Sequence, residues 1–328
     1  MSSSSKPLPV LVYIHAGGFY SVSGRSDVAG PEYLLDRDIV LVTINYRLAS
    51  LGFLSTGDAL APGNNGLKDQ VTALRWIQNN IAAFGGDPNL VTISGYSAGG
   101  FSVMLHTVSP MSKGLFHRAV SMSGSPISQI QLPSHQKHLA ERQAKLLNCS
   151  TDSSKAILDC LQTKSSKELG DSTDDMFDLG YDPTLLWLPI VEPDFGQERF
   201  LPMHPLEALQ KGKMHSVPYI VSQTQDEFFW KAFSILNNET RTNTMQTEWH
   251  RIAAIAFNLA EPSGAAADEL RRAYLDSNPV RNDSLANALA VYSPKDTYYY
   301  EFGYIGNHSH YEDPVTRKPV GKETFNKA

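Results

Sequence analysis

Over the first 125 positions, short runs of continuous apolar residues alternate with amphipathic stretches. Pro9 to Ile14 and Ile39 to Ile44 are apolar and rich in branched side chains, as in strands buried on both faces. At Asn65-Gly66-Leu67-Lys68-Asp69-Gln70 the pattern changes. Val71, Ala73, Leu74, Trp76 and Ile77 then follow at a spacing that predicts the apolar face of a helix. Gly85-Gly86-Asp87-Pro88 predicts its end. Val91 to Ser94 reads as the next strand, Phe101 to Leu105 as helix, and His117 to Ser125 as a further strand and its exit. Strands separated by helices predict the α/β class, with a mostly parallel central sheet and helices on both faces.

Beyond residue 126 the character shifts. Residues 126–213 are more helical and polar, with Ser/Asp-rich patches at 150–154 and 165–175, and read as an excursion off the sheet that walls an active-site gorge. Val217 to Val221 returns to the sheet. A helical tract runs from Thr247 to about Leu275, and Thr297 to Phe302 reads as a last, aromatic-rich strand. No internal repeat or linker is visible, so residues 1–328 read as a single domain.

The chemistry enters at Gly95-Tyr96-Ser97-Ala98-Gly99. Gly-x-Ser-x-Gly is a weak signal alone, but here a strand leads into it and a helix leaves it, the context of a nucleophile elbow. Such a turn lifts the Ser97 hydroxyl above the sheet edge, at the positive end of the following helix. Upstream, the strand ending at Ile14 runs into His15-Ala16-Gly17-Gly18-Phe19, where bare glycine backbone can approach a ligand. The expectation is an oxyanion hole formed by the amides of Gly17, Gly18 and Ala98. His15 reads as a packing residue of that loop, since the base of such hydrolases follows the serine in the chain.

Composition narrows the partners. A hydrophobic content of 41% in 328 residues supports a sizeable core, and a net charge of −6 offers no basic footprint for nucleic acid. No apolar run reaches the length of a membrane span, and Met1 to Lys6 holds no apolar leader core. Cys149 and Cys160 bracket a stretch able to cap and begin a helix; they read as a small disulfide loop in an oxidising compartment or as two buried thiols in the cytosol. Asn148, Asn238, Asn282 and Asn307 head glycosylation sequons compatible with secretion. Oligomeric state is left open.

Taken together, these motifs resemble the type-B carboxylesterase and cholinesterase-like family of α/β-hydrolases. The resemblance rests on His15-Ala16-Gly17-Gly18-Phe19, Asn45-Tyr46-Arg47 with Gly52-Phe53-Leu54, Gly63 to Gln70, Phe84 to Pro88, the elbow, and Ser123-Gly124-Ser125. It covers residues 7–320 and implies an α/β-hydrolase fold, an ester substrate, and no metal or cofactor. It also implies Ser97 as nucleophile, Glu227 as the acid of the triad, and a Cys149–Cys160 disulfide. Phe228 stands where the family's Asp-Glu-Gly has its glycine. Tyr96 stands where cholinesterases carry glutamate, which points to a general carboxylesterase. Phe19, Trp187, Phe228 and Phe229 are either gorge walls or plain core.

Acyl transfer also needs a base. The family places a histidine after the last core strands, and the candidates here are His250, His308 and His310. His250 reads as a helical surface residue. His308 and His310 fall in a place that is a variable loop in the family. At Thr316 to Ala328 the family's Val/Ile-x-His segment is not found, so the expectation is a chain lacking that histidine, the C-terminal part and a portion before residue 6. A serine without its base keeps only oxyanion and binding contributions, which implies an inactive form. The competing class is a binding or adhesion module that has lost the triad.

Overall fold

A computed structural model describes residues 6–127, 132–180, 182–224, 227, 235, 237–256, 264–275, 277 and 300–302. These fall into two compact units, Met1–Val221 with Ile255–Asn258, and Ser222–Ala254 with Leu259–Ala328.

The first unit is built on a parallel sheet. Its strands are β1 (Leu8–Ile14), β2 (Val40–Ile44), β3 (Gly86–Tyr96) and β4 (Arg118–Met122), with β5 (Tyr219–Thr224) following. The spatial order is β2-β1-β3-β4-β5. β1 pairs with β2 from Val10↔Val40 to Ile14↔Ile44, and with β3 from Val10↔Val91 to Ile14↔Gly95. Val10, Val12, Ile14, Val91 and Ile93 are buried at the centre of the core, as continuous apolar runs in a covered parallel sheet require. β3 begins earlier than the sequence predicts. Gly85 takes a left-handed turn, but Gly86 already pairs with Leu8. A Cβ on Gly86 would stand 2.8 Å from both Ile81 and Val10 side chains, so only glycine lets the strand start there.

Helices α1 (Ala49–Phe53), α2 (Asn65–Asn80) and α3 (Ala98–Val108) flank the sheet. α2 buries Leu67, Gln70, Val71, Leu74 and Ile77, a stripe at helical spacing. Trp76 differs from the sequence reading. It lies two residues beyond Leu74, roughly 200° around the helix, and so faces solvent, where it packs on Phe84.

The excursion holds α4 (Lys137–Leu146), α5 (Ser154–Leu161), α6 (Ser166–Asp171) and α7 (Pro205–Gln210). Cys149 and Cys160 form a disulfide with a Cα–Cα distance of 5.7 Å, and the Ser153 hydroxyl caps α5 by accepting from the Ala156 amide. Glu192 is fully buried in this region. Its Oε1 accepts from Asn64 Nδ2 and from the amides of Phe200 and Leu201, and its Oε2 pairs with Lys68 Nζ at 2.7 Å. Glu192→Ala removes the shared acceptor of all four donors, and chemical denaturation is expected to show a loss of about 3 kcal/mol or more.

In the second unit, Ser222–Thr224 of β5 pair parallel with β6 (Tyr300–Phe302). The helical tract expected from Thr247 comprises α8 (Glu239–Thr247), α9 (Trp249–Ala256) and α10 (Gly264–Leu275). Trp249 Nε1 donates to the Ala267 carbonyl at 2.7 Å, tying α9 to α10. Among the described residues no helix is long and apolar enough to cross a membrane.

Candidate functional site

Strand order decides where a site can form. The chain leaves β1 for β2 on one side and later returns to β3 on the other, so the carboxyl ends of β1 and β3 flank a topological switch point. Open parallel sheets bind ligands in the crevice outside such a point. The two loops there are residues 15–19 and 96–99, the two segments singled out from the sequence.

The elbow is held by contacts that permit only glycine. Ser97 has φ 55° and ψ −121° and sits directly before α3, half-buried. Non-glycine residues at positive φ carry strain that the surroundings must enforce. Here the Ser97 amide donates to the Met122 carbonyl at 2.8 Å, and the Ser97 carbonyl accepts from the Phe101 amide at 2.8 Å. A Cβ on Gly95 would lie 2.3 Å from the Gly99 carbonyl carbon, and one on Gly99 would lie 2.0 Å from the Ile14 carbonyl oxygen. α3 therefore docks backbone to backbone on β1 and β3, which carries the elbow against the 15–19 loop.

That loop is equally constrained. Gly17 and Gly18 both have positive φ, 112° and 59°, and the Gly17 carbonyl accepts from the amides of Tyr20 and Ser21. Phe19, also at positive φ, is fully buried against Phe53 and Phe101, so it is core and not a gorge wall; Trp187 is fully buried as well. His15 is 1% exposed and stacks on Tyr46 with ring centroids 4.4 Å apart, the packing role read from the sequence. Burial lowers its pKa, against a smaller opposing effect from its bond to the Ala16 carbonyl, so the ring is neutral.

The Asn45-Tyr46-Arg47 motif explains itself here. Asn45 accepts from the Gly24 amide, Tyr46 Oη donates to the His15 carbonyl, and Arg47 grips Asp69 of α2 through two side-chain nitrogens at 2.7 Å each. No described residue accepts a hydrogen bond from the amides of Gly17, Gly18 or Ala98. The amides of Gly17 and Gly18 thus follow β1, and that of Ala98 follows β3 directly after Ser97, at the same switch point.

Glu227 lies just past β5, where its Oε1 accepts from the Thr224 amide at 2.8 Å. His250 is an exposed residue of α9 bonded to Asp268 at 2.8 Å. Asn148 is exposed and left-handed, and Asn238 caps α8 by accepting from the Arg241 amide. Phe228, Phe229, Asn282, Asn307, His308 and His310 lie outside the described residues. Sequence reasoning missed the buried Glu192 and a fully buried polar cluster of Gln70, Ser102, His106 and Ser112. No local spacing announces partners that meet only across the fold.

A model of the carboxylesterase family matches residues 1–293. The venom carboxylesterase-6 of Apis mellifera is 37% identical over 299 residues, covering 89% of this chain and 53% of that protein. Esterase FE4 of Myzus persicae is 38% identical over 336 aligned residues, covering 94% and 58%. Among solved structures, the juvenile hormone esterase from Manduca sexta with OTFP covalently attached superposes with a TM-score of 0.75 at 28% identity, over 92% of this chain and 61% of that one. The chain spans about half the length of the curated relatives it matches.

Proposed function

The chain belongs to the carboxylesterase family and has its α/β-hydrolase fold, and from this premise we propose that it hydrolyses small-molecule carboxylic esters through an acyl-enzyme at Ser97. The Ser97 oxygen attacks the ester carbonyl carbon, and the carbonyl oxygen becomes an oxyanion held by the amides of Gly17, Gly18 and Ala98. Collapse of that intermediate breaks the bond to the alcohol and leaves an acyl-serine, which water then hydrolyses. The family resemblance makes Glu227 the acid that orients a histidine base; the serine proton passes to that base and returns to the departing alcohol, and His308 and His310 are the candidates this sequence offers for it.

The observation that carries this reading is the meeting of the strained Ser97 turn and the Gly17-Gly18 loop at the β1/β3 switch point, with three amides lacking partners among the described residues. The disulfide fits an oxidising compartment, and secretion is part of the proposal.

A p-nitrophenyl ester of a short acid tests it. The expected trace is a burst of about one p-nitrophenol per folded chain, followed by slower steady release, the fingerprint of an accumulating acyl-enzyme. Folded protein that shows neither burst nor turnover across short-chain esters overturns the proposal.

A further inference from the structure

A directed file of hydrogen bonds crosses the interior behind the elbow. Ser112, in the short turn Pro110–Ser112 after α3, lies 2.7 Å from His106 Nδ1. His106 Nε2 lies 2.9 Å from Gln70 Oε1 on α2. Gln70 Nε2 donates to Ser102 Oγ at 3.2 Å, and Ser102 Oγ donates to the Ala98 carbonyl at 2.9 Å. Gln70, Ser102, His106 and Ser112 are each 0% exposed.

Donor chemistry fixes the direction. An amide oxygen only accepts, so His106 must carry its proton on Nε2. A neutral ring then has its lone pair on Nδ1, so the Ser112 hydroxyl donates there. Gln70 gives its own N–H to Ser102, which leaves the Ser102 proton for Ala98. Every proton in the file points toward the first turn of α3. Burial pushes the His106 pKa down to about 3, with a further lowering by His215, so the ring holds this single polarity across the neutral range. Phe200 packs edge-on against the imidazole at 5.2 Å and closes the file from solvent.

The far end of the file is the informative one. Ala98 follows Ser97 directly, and its carbonyl receives the Ser102 hydroxyl in addition to the ordinary helical bond. On its other side the same turn rests on β1, where a Cβ at Gly99 would touch the Ile14 carbonyl. The Ala98–Gly99 peptide, directly after the Ser97–Ala98 plane that carries the Ala98 N–H, is thus held from both sides.

We propose that Gln70, Ser102 and His106 are positioning residues for ester hydrolysis, holding the first turn of α3 so that the Ala98 amide faces the reacting carbonyl oxygen. The inference rests on the reading of Ser97 and Ala98 given above. None of the three residues touches substrate; they act through the Ala98–Gly99 peptide, whose placement in the first helical turn sets that of the adjoining Ala98 N–H.

The test uses the full chain and p-nitrophenyl ester hydrolysis, with thermal unfolding in parallel. Ser102→Ala is expected to lower kcat about 10-fold with KM changed less than about 2-fold, because an oxyanion donor acts in the transition state. Ser112→Ala, at the remote end, is expected to give a smaller loss of kcat, about 3-fold. Ile157→Ala, buried beside the disulfide, serves as the stability control, with a lower melting temperature and unchanged kcat. Nitrogen NMR of His106 is expected to show the Nε2–H tautomer from pH 5 to 8. An active wild type whose Ser102→Ala and Ser112→Ala variants keep kcat, or lose it only as far as the control does, overturns the positioning role alone. An Nδ1–H tautomer reverses the file and also overturns it. A wild type that hydrolyses no ester overturns the functional reading, and the positioning role with it.

Discussion

Ser97→Ala is expected to remove ester hydrolysis almost completely while leaving the fold unchanged. The loss in kcat/KM is expected to be about 10³-fold or more, since the nucleophile and its base act as a unit and only oxyanion stabilisation and binding survive. Stability is expected to hold because the bonds that secure this turn are backbone bonds: the Ser97 amide to Met122 and the Phe101 amide to the Ser97 carbonyl. Alanine at φ 55° bears the same steric strain as serine. Steady-state hydrolysis and a thermal melt on the same sample separate the two effects. A variant that keeps its hydrolytic rate removes Ser97 from the reaction.

Gly99→Ala is expected to have the largest effect on the fold. The new methyl would stand 2.0 Å from the Ile14 carbonyl oxygen and 3.1 Å from that of His15. Both neighbours are backbone of a central, doubly paired strand, so neither can swing aside as a side chain would. Relief requires α3 to lift from β1, which opens the core around Val12, Ile14 and Phe101. Overpacking of this kind costs about 3 kcal/mol or more, a large share of the 5–15 kcal/mol that holds a typical domain together. Gly170→Ala in α6 is the matched comparison. It meets nothing within 4 Å and has no positive φ, so its urea midpoint is expected to stay level or rise slightly. A Gly99→Ala midpoint equal to that of Gly170→Ala contradicts the docking described for α3.

What could be read from the chain beforehand follows from which constraints are local. The elbow was legible because the demand for small residues at Gly95 and Gly99 is written into five consecutive positions. β1 and β2 were legible because each is a nearly continuous run of apolar, branched residues, whereas β4 carries Arg118 and Ser121 and was read from its place after a helix. The Gly17-Gly18 loop was recognisable only beside the elbow, since a glycine pair after a strand also suits an ordinary turn. Trp76 shows the opposite case. Its hydrophobicity counted toward a helical face, yet its angular position turned it outward. Glu192 and His106 were invisible for another reason. Each is a polar residue whose burial depends on partners over 30 or over 120 residues distant, as with Gln70 for His106 and Lys68 for Glu192. The disulfide could be proposed from two cysteines and a helix start, but its closure depends on how α4 and α5 pack.

The central claim is that the hydroxyl at position 97 is an activated nucleophile facing three backbone donors. Covalent labelling of the folded, full chain with a fluorophosphonate, followed by peptide mapping, tests it most directly. The account predicts one adduct per chain, on the oxygen of Ser97. Folded protein that takes up no label, or that carries it on another serine with residue 97 unmodified, contradicts the account.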